Sequence, residues 1–379
     1  LLTKVLFYIM ENFSYLPINW TQGMNVSSSH FIATENFLLE RLLKTISLSY
    51  NHFYGILPKS NASYTDIRVR NLGNTTHISL NSYSGICPGG YPLLIDETNN
   101  DNLNYIIEKS QERSEQKWDI VLSVFPFQRV PTGVPDANEL PLRFPYVKTL
   151  FQLGVLPYQE QVEHAQFSVV IGVLKKTTAG YELDGNYIPP SLTMNAHESL
   201  KDYMLSFSNA LFLIEESLKK ILIKIQTQPN QTSITKSLFI LCKEMLRHLS
   251  SINFSWKNMM SNLSPFQVTE MLSSFAGAIL TGLFFLSKKD KEEVLKYFHE
   301  WNGILPATFE QMLKDIHDNK YNHNRINLSM FVIDGMLQTM GELLIMLSQL
   351  EFVGQHKEGI VISERQIQSN TENNRWTVD

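Results

Sequence analysis

Two cysteines in 379 residues, Cys87 and Cys242, are too few for a disulfide framework or a zinc ligand set, and they read as packed thiols in a reducing compartment. Charge is also scarce. Only 18% of residues are Asp, Glu, Lys or Arg, and the net charge is −5. No basic run or stripe is present to neutralise a phosphate backbone, which sets nucleic-acid binding aside. G-x-S-x-G, P-loop, G-x-G-x-x-G and H-E-x-x-H signatures are all missing. Gly85, Gly89 and Gly90 around Pro88 therefore make a turn, because no Lys-Ser/Thr and helix follow. The apolar run 275–286 has twelve residues, too few to cross a bilayer, and reads as a core helix. The chain opens on Leu with a short apolar run (LLTKVLFYIM) but no small-x-small cleavage site, so a first β-strand is expected there.

Chemistry finds little foothold. His317 and His323 with Asp315 and Asp318 form the best metal-like cluster, but the two His lie at i and i+6 across a polar loop and read as solvated. Glu215 and Glu216 read as solvent-facing charges, and His248 as a packed or interfacial side chain. The expectation is no enzyme, no cofactor and no metal.

What is present is enough apolar material, 43% of residues, for two or three domains. Residues 1–190 read as β-rich, with strands near 66–70, 77–80, 91–95, 120–124 and 167–174. Turn clusters at 71–76, 87–90, 96–101 and 130–138 separate them, which suits an antiparallel sandwich or barrel. A helix is expected over about 30–47 and a short one near 103–111. From residue 197 onward the pattern is helical. Met204, Leu211, Leu218 and Ile225 share one heptad position, and Leu200, Phe207, Ile214 and Ile221 the other. That strict repeat closes within one chain or between subunits, and its period favours a seam between subunits. Further helices are expected at 238–259, 265–286 (Ser264 as cap, Pro265 first), 291–301, to about 316, and 328–350.

The densest block is residues 19–31, NWTQGMNVSSSHF. It places two aromatic anchors, Trp20 and Phe31, around a turn freed by Gly23. The spacing of Trp20, Gly23, Met24, His30 and Phe31 resembles the W-x-E-G-M-x-L-x-P-Q-H-F signature of the TssK family of type VI secretion baseplate adaptors. Gln22, Ser28 and Ser29 depart from it. Tyr187-Ile188-Pro189-Pro190-Ser191-Leu192 is similar to that family's F-I-P-P-x-L at the junction before its first long helix. Glu139 to Tyr146 is a looser Pro/aromatic match. Ser264-Pro265-Phe266 with residues 274–280 resembles its H-P…L-A-G-x-L segment, where Gly277 implies a close helix–helix approach.

The resemblance implies an α+β multidomain fold, with an N-terminal antiparallel β-sandwich, like the shoulder of phage receptor-binding proteins, followed by a helical bundle neck. The expected domains are a shell over 1–190, a neck over 191–318 and a reduced C-terminal helix and polar tail over 319–379. The resemblance further implies a homotrimer, wedge proteins TssF and TssG as partners, the membrane-complex proteins TssL and TssM facing the other end, and a cytoplasmic place at the inner-membrane-docked baseplate. Trp20, Gly23, Met24, His30 and Phe31 are the expected shell or wedge-contact residues. Met204, Phe207, Leu211, Ile214, Leu218, Ile221 and Ile225 are the expected oligomer seam. A phage or phage-tail-like receptor-binding adaptor of the same architecture is the alternative.

Overall fold

A computed structural model describes residues 14–48, 53–58, 65–96, 103–108, 116–159, 165–178 and 180–357. The expected first strand and most of the expected polar tail lie outside them. The chain divides into two compact units: residues 1–197 with 323–326, and residues 198–322 with 327–379.

The first unit opens with helix α1 (Ser28–Ser47) and continues as strands β1 (Gly55–Ile56), β2 (Thr65–Leu72), β3 (Thr75–Ile86), β4 (Pro92–Ile95), β5 (Leu103–Glu108), β6 (Lys117–Thr132), β7 (Tyr146–Pro157), β8 (Ser168–Thr177) and β9 (Gly180–Leu183). All pairings between these strands are antiparallel. The long β3 organises one sheet, pairing with β2 and β5 along one part and with β1 and β4 along the other. The second sheet runs β7-β6-β8-β9. Alternation on β3 and β6 sends Ile78, Leu80, Trp118, Ile120, Leu122 and Val124 into one core shared with Val169 and Ile171 of β8. That is the expected sandwich.

Two readings change here. Residues 103–108 form β5, not a helix. Their strict alternation of half-buried and exposed positions matches the pleat against β3, and this pairing outweighs local propensity. Residues 130–132 continue β6 past a register shift at Phe125/Arg129, so the turn begins only at Gly133.

The Ile188-Pro189-Pro190 segment is buried within this unit. Pro190 O accepts the Ile56 N–H at 2.8 Å, and Ile56 O accepts that of Leu192 at 2.9 Å, so the segment lies along β1 like an added strand. Gly55 permits it. At φ 107°, a Cβ there would lie 2.0 Å from the Pro190 oxygen.

The second unit comprises α2 (Glu198–Thr227), α3 (Ser233–Met259), α4 (Pro265–Phe284), α5 (Lys288–Asn302), α6 (Pro306–His317) and α7 (Ile326–Gln349, of which Ile326 belongs to the first unit). The caps follow the sequence. Thr232 and Ser264 accept the N–H groups of Thr235 and Gln267, and Gly303 ends α5 at φ 76°. Residues 275–286 lie on α4 and just beyond it, with Phe275, Ala276, Ile279 and Leu283 buried in the core. His323–Gln349 is long and apolar enough to cross a membrane by composition. Its apolar stripe (Ile333, Met336, Leu337, Met340, Leu343, Leu344, Leu347) is packed inside the unit, as in the core helix of a globular bundle. Both cysteines are buried, and burial pushes the Cys242 thiol up to about 12.

Candidate functional site

The 19–31 block builds a small, self-consistent device. Thr21–Met24 turn on Gly23, whose φ of 83° only glycine adopts without strain, and Met24 N–H reaches Thr21 O at 3.3 Å. His30 lies in the first turn of α1 and its Nδ1 accepts the Ser27 N–H at 3.1 Å, satisfying a donor at the helix entrance. Trp20 stands over this turn, with its ring 6.1 Å from His30 and 6.4 Å from Phe31. Met24 is half-buried. Trp20 and Phe31 are not in a core: they are 51% and 58% exposed.

What holds the device is polar. Glu40, buried on the inner side of α1, accepts the N–H groups of Ser14 at 2.9 Å and Tyr15 at 3.0 Å. Burial pushes its carboxyl up, but those two donors and Lys44 outweigh it and leave it below its ordinary value. Tyr15 packs on Phe127 at 4.7 Å. Arg129 of β6 donates to Glu35 at 2.6 Å and Asn36 at 2.9 Å, tying the helix to the sandwich.

With its inner side so fixed, α1 turns Phe31, Leu38 and Leu42 outward at i, i+7 and i+11, all exposed. A second apolar element leaves the same strand that carries Arg129. The loop 133–145 and the start of β7 expose Val134, Leu140 (94%), Leu142, Phe144, Tyr146 and Val147. Internal bonds organise this loop: Asp136 accepts the Asn138 N–H at 2.9 Å, and Arg143 donates to Glu139 at 2.8 Å. Large exposed apolar side chains that cluster on a folded unit are a general feature of protein-contact surfaces.

The heptad residues are placed differently from the expected subunit seam. Phe207, Leu211, Ile214, Leu218, Ile221 and Ile225 are buried in the chain's own helical core, with Met204 at its margin. The repeat is therefore consumed within one chain, and the six buried residues have little free surface to offer another. The opposite side of α2 exposes Leu205, Phe212 and Ile223, and α7 exposes Leu328, Phe331 and Val332. The two helices run side by side, joined by Ser206–Asp334 at 2.6 Å near their starts and Lys224–Ser348 O at 2.9 Å near their ends.

Gly277 marks a close approach of α4 and α6: a Cβ there would lie 2.8 Å from His317 Nδ1. His323, by contrast, is buried in the first unit with its Nε2 on Tyr54 O at 2.9 Å. Asp315 accepts from Gln311 at 2.7 Å. The metal-like spacing thus dissolves into separate structural roles. His248 bonds Met271 O at 3.2 Å, and burial lowers its pKa. Among the described residues, no group of three or more His, Cys, Asp or Glu could hold a metal ion.

Sequence reasoning missed strands β1, β7 and β9 and two features of the site. The exposure of the 133–145 loop was hidden because its Pro/aromatic composition reads as packing. The pairing of Asp119 with Arg325 was also missed, although a carboxylate inside the apolar run W-D-I-V-L is a visible anomaly.

Exposed large apolar side chains thus occur in both units, on α1 and the 133–145 loop in the first and on α2 and α7 in the second. Residues 149–319 match the sequence model of a family described as bacterial type VI secretion, VC_A0110, EvfL, ImpJ, VasE. A crystal structure of TssK aligns over 85% of this chain and 68% of its own, with 18% identity and a TM-score of 0.52. A cryo-electron-microscopy structure of the type VI secretion system TssK-TssF-TssG baseplate subcomplex aligns over 87% of this chain and 100% of its own, with 16% identity and a TM-score of 0.49. TssK from the EAEC type VI system in complex with a nanobody aligns over 81% and 96%, with 14% identity and a TM-score of 0.47. The fold likeness rests on the first of these. No curated protein matches the sequence. Over residues 149–319 the chain is thus similar to this type VI secretion family, and its fold is like that of TssK. The 19–31 block lies outside the matched residues.

Proposed function

We propose that this protein is a structural baseplate adaptor of a type VI secretion machine, performs no chemistry, and acts through its surfaces. The first unit serves as the shell that grips the wedge, by way of Trp20, Phe31, Leu38 and Leu42 on one side of Arg129 and the 133–145 loop on the other. The wedge partners are TssF- and TssG-type proteins, as in the baseplate subcomplex named above. The helical unit serves as the neck of a homotrimer, its seam formed by the outward faces of α2 and α7 in place of the heptad core. The end away from the wedge faces TssL- and TssM-type membrane-complex proteins, and the protein works in the cytoplasm at the docked baseplate.

The observation that carries this reading is the outward apolar line Phe31–Leu38–Leu42 on a helix whose inner side is pinned by Glu40 and Asn36. Leaving such a line in water gains nothing for the monomer, whereas covering it gains roughly 25 cal/mol per Å² of apolar surface removed from water. The test is capture of the tagged full chain from its native cells, with a photo-cross-linking residue at position 38 and identification by mass spectrometry. Adducts with the wedge proteins are expected. Adducts only with unrelated proteins, or none beside a functioning secretion machine, would overturn the assignment of this face.

A further inference from the structure

Asp119 lies on the central strand β6, where alternation places it with Val121 on the face of the sheet turned away from the main core. That face is apolar, with Val121, Val170, Val173 and Tyr187 clustered and Tyr158 packed against them. A carboxylate there is deprived of water, and burial pushes its pKa up. Its partner comes from far along the chain. Three oxygens converge on Arg325 Nη2: Asp119 Oδ1 at 2.9 Å, Asp119 Oδ2 at 2.7 Å and Gln159 O at 2.7 Å. The Tyr158 ring lies 4.2 Å and the Tyr187 ring 5.7 Å from the guanidinium carbon. Asp119 and Arg325 are each 1% exposed.

The neighbours of Arg325 are seated too. His323 Nε2 meets Tyr54 O at 2.9 Å with the two rings edge to face at 4.5 Å, and Tyr54 Oη donates to Asn324 Oδ1 at 3.3 Å. Residues 323–326 thus belong to the β-rich unit, although the chain leaves that unit after His197.

We propose that Asp119, the Gln159 carbonyl, Tyr158 and Tyr187 form a guanidinium receptor on the β-rich unit, and that Arg325, carried by the strap 323–326, is its ligand. The unit is then a split domain, closed only when this downstream segment docks. A buried ion pair with two aromatic faces and a carbonyl is selective for a flat cation of this shape.

The test uses the full chain with Arg325→Ala, which empties the receptor by the volume of an ethylguanidinium ion. The melting temperature of this variant is expected to fall by on the order of 10 °C. Millimolar ethylguanidinium is expected to restore a large part of that loss, while ethylammonium at equal ionic strength restores none. Neither ion should move the wild type or the double variant Asp119→Ala/Arg325→Ala. If Arg325→Ala accumulates unfolded, its refolding yield with each ion is the readout, with the same ranking expected. Equal effects of the two ions, or rescue that persists without Asp119, would overturn the receptor.

Discussion

Helices α1 and α2 are both amphipathic, and they use their apolar residues in opposite ways. In α2, the heptad residues Phe207, Ile214, Leu218 and Ile221 are fully enclosed by the chain's own helices. In α1, Glu40 and Leu43 are the only buried positions, while Phe31, Leu38 and Leu42 face outward. Periodicity says that a stripe exists, not what covers it. In α1 the covering side is set by polar anchors, Glu40 to the 14–15 backbone and Asn36 to Arg129, and these turn the apolar line away from the sandwich.

A matched pair of truncations breaks or upholds that contrast. Leu218→Ala should cost about 2–5 kcal/mol in urea unfolding, because it opens a cavity in a closed core. Leu38→Ala, the same deletion on α1, should cost less than about 0.5 kcal/mol. Similar values for the two would mean that α1 is not an open face. Next in size, Gly23→Ala forces an alanine to positive φ and should cost about 1 kcal/mol, read in the same experiment, by straining the turn beneath Trp20. Phe212→Glu lies on the open side of α2 and should leave the melting curve nearly unchanged, while, for the proposed trimer, light scattering should show the mass falling to that of one chain. An unchanged mass would remove the α2/α7 seam.

The smallest effect concerns pH. Glu40 has a folded pKa below its ordinary 4.5, so its contribution is complete above that value and is lost as pH falls through the lower, folded one. The stability gap between wild type and Glu40→Gln should therefore be present near about pH 6 and close under more acid conditions. A gap that widens on acidification would reverse the sign.

The sequence carried the order of the architecture because β alternation and helical stripes are local signals. Strands β2, β3, β4, β6 and β8 and the cap at Ser264 followed from residue chemistry within a few positions, whereas β1, β7 and β9 were not read as strands. Residues 103–108 did not follow from it either, since their strand state depends on β3. The ownership of the heptad seam also escaped, because a 3.5-residue period is the same whether the partner helix is in the same chain or in another. The receptor for Arg325 joins residues 206 positions apart, and no window along the sequence brings them together.

The most direct test of the docking account is the affinity of purified TssF–TssG wedge proteins for the full chain and for a Phe31→Glu/Leu38→Glu variant. Both forms are first shown to melt alike. The account predicts that the wild type binds and that the variant binds at least about a hundredfold more weakly, since charge is placed where apolar surface must be covered. A variant that binds the wedge as tightly as the wild type would contradict it.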